Sequence, residues 1–344
     1  MDFDFSRLPG PLLAWYDRVR RPLPWRQDRE PYHVWLSEIM LQQTRIEAVR
    51  GYYARFLAAL PDIGALAACP EDELNKLWEG LGYYSRARNL QKAAREIMEK
   101  HGGVFPRDYG AIRALPGIGD YTAGAVASIC FEEPAPAVDG NVLRVLSRLA
   151  ALREDVTRPP VKRTLTAALA AAYPDTRRGD FTQAIMELGE TVCLPNAAPL
   201  CESCPLRDLC RSEQSELWRE IPVLPEKKPR RPETHTVFLL VCGDRLAIRK
   251  RPPGGLLGGL WELPNCPGAL SEAEALARAA DWGCAPEGEP VRRDRRHAFT
   301  HVEWTLPGYR IACGAMPEVF TWVTAAQLRQ TYALPTAFRQ FLPD

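Results

Sequence analysis

The chain has 344 residues, more than a single domain usually needs, and 46% of them are hydrophobic, enough for a core in each of two or three domains. Its 44 basic and 43 acidic residues leave a net charge of +1, so no global field draws it to nucleic acid, and any such affinity must come from local patches. No apolar run is long enough to span a bilayer, and the opening Met1-Asp-Phe-Asp-Phe5 lacks a secretory signal's basic and apolar regions; we expect a soluble intracellular protein, cytoplasmic if bacterial, with no membrane partner.

From Leu12 to about Ser212 the pattern is helical, with amphipathic runs at Leu74–Leu81 and Leu90–Met98. Breaks at Pro61, Pro70, Gly102-Gly103, Pro106 and Pro174 keep the helices short, which predicts an all-α region over residues 1–213. Within it, Leu115-Pro-Gly-Ile-Gly119 reads as a turn between two helices, around 113–125. Such a turn frees backbone amides and lets a phosphate approach without meeting side chains, although an ordinary helix-glycine-helix connection has the same spelling. Asp139, before Gly140-Asn141 and an apolar-periodic run, is a candidate helix N-cap.

Cys193, Cys201, Cys204 and Cys210 follow, with seven, two and five residues between them. Ten cysteines in a chain this long do not make a secreted disulfide framework, so the cluster calls for a metal. Zinc usually draws on two Cys-x-x-Cys knuckles and only Cys201/Cys204 forms one; the wider gaps suit an iron–sulfur cluster in the loop 193–210, with zinc as the alternative. Prolines and charges then mark a linker over 214–233. Beyond it, strand-like segments at Thr236–Cys242 and Trp304–Ile311 and helical ones at Ser271–Trp282 and Ala325–Thr331 predict an α+β domain over 234–344.

Three of these features, Leu115-Pro-Gly-Ile-Gly119, Val138-Asp-Gly-Asn141 and the cysteine loop, resemble the helix-hairpin-helix DNA glycosylases of the endonuclease III superfamily. Trp35-Leu-Ser-Glu38-Ile-Met-Leu-Gln-Gln-Thr44, Gly80-Leu-Gly-Tyr-Tyr-Ser-Arg86 and Phe181-Thr-Gln-Ala-Ile-Met-Glu-Leu-Gly189 are similar to stretches of the MutY family of adenine DNA glycosylases, which act opposite 8-oxoguanine. The resemblance covers nearly the whole chain; the first cysteine gap is seven residues where the family usually has six.

Breaking an N-glycosidic bond to adenine puts positive charge on the sugar and a proton on a poor leaving group, which two carboxyls in different states can manage. Glu38, among apolar neighbours, is expected to stay neutral and protonate a ring nitrogen; Asp139, capping a helix, is expected to stay anionic as stabiliser, base or nucleophile. The resemblance adds Asn141 and Tyr121 to the catalytic group. Tyr121 occupies the place where lyase-competent relatives carry lysine, and a phenol cannot form a Schiff base, so a monofunctional glycosylase is expected. The base must be flipped out of the duplex. By resemblance, Trp25, Arg26, Leu41 and Gln183 line the adenine pocket and Gln43 and Tyr83 intrude beside the orphan base. Leu115, Gly117 and Gly119 hold the DNA backbone, a monovalent cation sits at that turn, and the four cysteines carry a 4Fe-4S cluster.

In the tail, Gly258-Gly-Leu-Trp-Glu-Leu-Pro264 is similar to the entrance of Nudix folds, but Ala277, Ala280 and Asp281 stand where that family's Arg-Glu and Glu-Glu pairs are expected. Without that carboxylate ladder a magnesium site cannot be assembled, so a reading domain is expected. His297, Phe299, Thr300 and His301 match the 8-oxoguanine element, with Thr300 replacing serine. The resemblance thus implies a base excision repair enzyme, acting as a monomer on double-stranded DNA with A:8-oxoguanine or A:G mispairs. The competing readings are a Nudix-type nucleotide hydrolase fused to a DNA-binding module and a non-catalytic damage sensor.

Overall fold

Proline and glycine punctuation cuts the first part of the chain into short helices: α1 (Pro9–Val19), α2 (Pro31–Leu41), α3 (Ile46–Ala59), α4 (Ile63–Ala68), α5 (Glu71–Leu77), α6 (Ser85–Lys100), α7 (Tyr109–Ala114), α8 (Asp120–Phe131), α9 (Gly140–Leu149), α10 (Pro159–Ala171) and α11 (Arg178–Thr191). Prolines open α1, α2 and α10, where a missing N–H costs nothing. The computed structural model describes residues 3–213, 216–226 and 228–343; positions 1, 2, 214, 215, 227 and 344 of the expected domains and linker lie outside the described residues. Among the described residues no helix is long and apolar enough to cross a membrane.

The described chain forms two units, residues 1–68 with 89–226, and residues 69–88 with 227–344. In the first, α2 packs on α8, and α8 and α9 pack on α11. Residues 34–40 of α2 are all buried, so the helix has no wet face and Glu38 is carried inside with its apolar neighbours. A core built on Leu143, Leu146, Leu165, Phe181 and Leu188 extends to the cysteine loop, where Cys193, Cys204 and Cys210 pack against it.

The second unit is a mixed sheet of β1 (Arg231–Cys242), β2 (Arg245–Lys250), β3 (Trp261–Glu262), β4 (Asn265–Pro267), β5 (Pro286–Arg292), β6 (Arg295–Ala298), β7 (Val302–Leu306), β8 (Gly308–Cys313) and β9 (Thr321–Thr324), with α12 (Glu272–Asp281), α13 (Ala325–Thr331) and α14 (Thr336–Arg339). Alternate residues of β1 feed different cores: Val237 and Leu239 join Trp304 and Phe338, while Phe238 and Leu240 join Tyr309, Ile311 and the α12 alanines.

Three sequence readings shift at their edges. The stretch Trp304–Ile311 is two strands, β7 and β8, parted at Pro307. The helix expected over Leu74–Leu81 stops at Leu77, because the chain turns through Gly80 and Gly82, both at positive φ. Strand β1 starts at Arg231, inside the proline-rich stretch; Pro232 is tolerated there because this end of the strand, where Pro232 lies opposite Glu303, is paired with β7 and not yet with β4 or β8. The second unit also takes in residues 69–88, with α5 packed on α13.

Candidate active site

In the first unit one cavity of about 690 Å³ is lined by Trp25, Arg26, Glu38, Leu41, Gln43, Tyr121, Asp139, Asn141 and Gln183. Nine side chains from five separate stretches of the sequence thus converge on a single space, large enough for a flipped nucleoside. Helix α2 supplies Glu38 and Leu41, the start of α8 supplies Tyr121, the cap of α9 supplies Asp139, and α11 supplies Gln183.

The two carboxyls are held differently. Among the described residues Glu38 meets a single hydroxyl donor: Tyr121 Oη donates to Glu38 Oε2 at 2.7 Å. Burial raises Glu38 to about 7, with the Tyr121 bond opposing the rise and the Asp139 charge adding to it. Burial and the same carboxyl keep the Tyr121 phenol well above its ordinary value, so it remains a donor. Asp139 caps α9, accepting from Val142 N at 2.8 Å and from Asn141 Nδ2 at 3.0 Å. Burial raises its pKa as well, but these bonds to the charged form and the nearby Arg144 pull against it.

Two supporting groups escaped the sequence reading. Glu187, buried on α11, accepts from Arg21 and, at 2.7 Å, from Arg26 Nη2, which fixes the guanidinium that lines the cavity. Burial opposes its ionisation, but the bonds to Arg21 and Arg26 hold it below the usual carboxylate range. Arg144 Nη2 donates to Asn141 Oδ1 at 3.0 Å and to Gly189 O at 2.7 Å. Glu187 lay inside the quoted stretch Phe181–Gly189, and its helical register relative to Gln183 was the available signal.

The remaining expected residues fall elsewhere. Leu115, Gly117 and Gly119 form the turn between α7 and α8, with Gly119 as N-cap of α8. Gly117 has φ 76°, and a Cβ there would stand 2.5 Å from Asn89 Cβ; a Cβ on Gly119 would meet nothing within 4 Å, so open space lies over that helix start. The four cysteines line a second cavity of about 30 Å³, walled by Val145, Leu149, Leu188 and Leu206. Arg148 Nη1 stands 3.3 Å from Cys193 Sγ, and burial pushes the Cys204 thiol up to about 12, so a thiolate there calls for a bound cation. Among the described residues no three His, Cys, Asp or Glu side chains are grouped to hold a metal ion, and support for a cluster rests on the spacing and the shared cavity.

Tyr83, His297, Phe299, Thr300 and His301 belong to the second unit. Residues 299–301 form the tip between β6 and β7, closed by Phe299 N donating to Val302 O at 2.8 Å. Phe299 is wedged between His297 and Trp304, at centroid distances of 4.6 and 4.9 Å, while Thr300 and His301 are exposed. Burial lowers the His297 pKa, favouring the neutral ring. Tyr83, at φ 47°, places its hydroxyl 2.9 Å from Thr300 Oγ1. Ala277, Ala280 and Asp281 lie on α12, and Glu262 is engaged by Arg249 and Arg251.

Residues 36–170 match the family described as HhH-GPD superfamily base excision DNA repair protein, and residues 236–344 match the NUDIX domain. The adenine DNA glycosylase of Mus musculus is 34% identical over 98% of this chain and 78% of its own length. The chain belongs to the adenine DNA glycosylase family. It is therefore a DNA glycosylase of base excision repair, with an endonuclease III-type helical unit followed by a Nudix-like one. Among solved structures, a thermostable thymine-DNA glycosylase matches with a TM-score of 0.55 and 29% identity over 59% of this chain and 94% of that one. A trapped endonuclease III–DNA covalent intermediate matches with a TM-score of 0.52 and 25% identity over 62% and 98%.

Proposed function

We propose that the protein removes adenine mispaired with 8-oxoguanine or guanine in duplex DNA, by base flipping and acid-assisted hydrolysis. The observation that carries this reading is the convergence of Glu38, Tyr121, Asp139 and Asn141 on one cavity, with the two carboxyls in different surroundings. Glu38, its pKa raised to about 7 and the carboxyl therefore largely neutral below that pH, donates a proton to a ring nitrogen of the departing adenine. The Asp139 carboxylate, its charge held by Val142 N–H and Asn141, faces the cationic sugar. Trp25, Arg26, Leu41 and Gln183 form the walls around the base. Tyr121 stands where a lysine nucleophile would be needed, so the enzyme leaves an abasic site uncut.

The duplex backbone is held at Leu115, Gly117 and Gly119, where the open helix start of α8 and a monovalent cation serve the phosphate. Cys193, Cys201, Cys204 and Cys210 hold a 4Fe-4S cluster, which when bound fixes their loop to the helical core. Gln43 and Tyr83 intrude beside the orphan base, and His297, Phe299, Thr300 and His301 read it. The assignment divides the chain into a catalytic region 1–213, a linker 214–233 and a recognition domain 234–344, with residues 69–88 grouped with the C-terminal chain and β1 beginning at Arg231 within the linker span. It describes an intracellular monomer acting on double-stranded DNA. Purified protein incubated with an A:8-oxoguanine duplex should release free adenine and nick the strand only after hot alkali. Scission without alkali, or borohydride trapping, would overturn the monofunctional assignment, and the absence of free adenine would overturn the function.

A further inference from the structure

The turn that carries Tyr83 is tied down by bonds that base release itself does not need. Lys76 Nζ donates to Leu328 O at 3.3 Å and to Tyr332 O at 3.1 Å, and pairs with Glu79 Oε2 at 2.7 Å. These carbonyls lie at the end of α13, where a helix has no internal donors left and a cation is favoured. Glu79 Oε1 in turn accepts from Leu334 N at 2.8 Å. Only 19% and 15% of the two side chains is exposed, so solvent screens the pair far less than a surface bridge. At the start of α5, Asp72 accepts from Lys250 Nζ at 2.8 Å, a second anchor on the same unit.

Immediately after Glu79 the chain enters the turn. Trp78 Nε1 donates to Gly82 O at 3.0 Å, Arg86 Nη2 donates to Leu81 O and Gly82 O, and the Arg86 guanidinium lies over the Trp78 and Tyr83 rings. Tyr83 holds a left-handed backbone conformation that a tyrosine keeps only when its surroundings impose it. Its hydroxyl ends at Thr300. An unbroken series of contacts therefore runs from 328–334 through Lys76 and Glu79 to the tip between β6 and β7.

We propose that Lys76 and Glu79 are positioning residues for orphan-base discrimination: their clasp on Leu328–Leu334 holds the Tyr83 turn at the Thr300 tip, and preference for 8-oxoguanine opposite adenine depends on it. The inference rests on the function proposed above. Its test uses the full chain, with Lys76→Met, Glu79→Gln and the conservative Lys76→Arg, and compares single-turnover adenine release from A:8-oxoguanine and A:G duplexes. The expected result is a loss of about five- to tenfold in the ratio of the two rates for Lys76→Met and Glu79→Gln, with A:G release unchanged and partial rescue by Lys76→Arg. Combining Lys76→Met with Tyr83→Phe should add little to the loss in the ratio, since both cut the same series. An unchanged ratio, a parallel fall on both duplexes, or full additivity with Tyr83→Phe would overturn the clasp. Parent protein that releases no adenine from either duplex would overturn the function as well, whereas an active and selective parent with unaltered variants would overturn the clasp alone.

Discussion

The helical unit and the mixed unit place their candidate residues in opposite settings. In the helical unit Glu38, Tyr121 and Asp139 are buried or nearly so, and each is held by named partners, with Arg26 fixed from behind by Glu187. In the mixed unit Thr300 and His301 are exposed at a strand-connecting tip, with Phe299 anchored against His297 and Trp304. Burial is what makes a carboxyl an acid near neutrality, so bond-breaking chemistry needs the first setting. Reading a partner base needs exposed donors that meet it directly, so the second setting suffices. Substitutions should accordingly act on rate in one unit and on preference in the other.

The sharpest challenge to that division is Glu38→Gln, which keeps the shape and removes the proton. Adenine release should fall by roughly 10²- to 10⁴-fold while duplex binding survives. In the parent protein release should decline as pH rises through about 7, where Glu38 ionises, and the variant should lose that limb of the profile. The stability consequence has a definite sign. Because the folded pKa is raised, the folded state binds the proton more tightly, and stability should drop as pH climbs from the ordinary carboxylate range to about 7. Denaturant titrations across that window check it, and a flat response would remove the physical basis for Glu38 as acid.

Asp139→Asn separates charge from capping. An asparagine can still accept from Val142 N, so α9 should stay capped while the anion that the proposed mechanism sets against the sugar is lost. We expect roughly 10²- to 10³-fold slower release with an unchanged melting temperature. A large loss of stability with release intact would recast Asp139 as a cap alone.

The sequence carried much of this and omitted the rest for physical reasons. Asp139 as N-cap, Ser271 opening α12 and the bounds Ala325–Thr331 of α13 were legible because caps and periodicity are local signals. The association of residues 69–88 with the C-terminal chain was not, because it depends on Lys76 meeting carbonyls more than 250 positions away. Arg144 carried no local signal and Glu187 only its helical register relative to Gln183; packing shows that Asn141 and Arg26, which they hold, line the cavity.

Gly117→Ala probes the helical unit outside its cavity. The new Cβ would meet Asn89 at 2.5 Å on a backbone at φ 76°, so the turn must shift, at a cost of about 1–3 kcal/mol. If the turn holds the duplex backbone as proposed, affinity should weaken for matched and mispaired DNA alike, because a backbone contact carries no base information. Filter-binding on the two duplexes checks this; a loss confined to the mispair would contradict the assignment.

Thr300→Val is the gentlest cut and bears most directly on the mixed unit. Valine keeps the volume and the branched Cβ but cannot hydrogen-bond, so the Tyr83 contact disappears with the β6–β7 tip otherwise undisturbed. One exposed hydrogen bond is worth about 1 kcal/mol, which sets the expected change in the ratio of A:8-oxoguanine to A:G release at roughly fivefold. The A:G rate itself should hold, since the carboxyls of the helical unit are unaltered. Equal losses on both duplexes would mean that the tip serves binding in general, and the division between a unit that breaks the bond and a unit that chooses the site would fail at the residue expected to express it most directly.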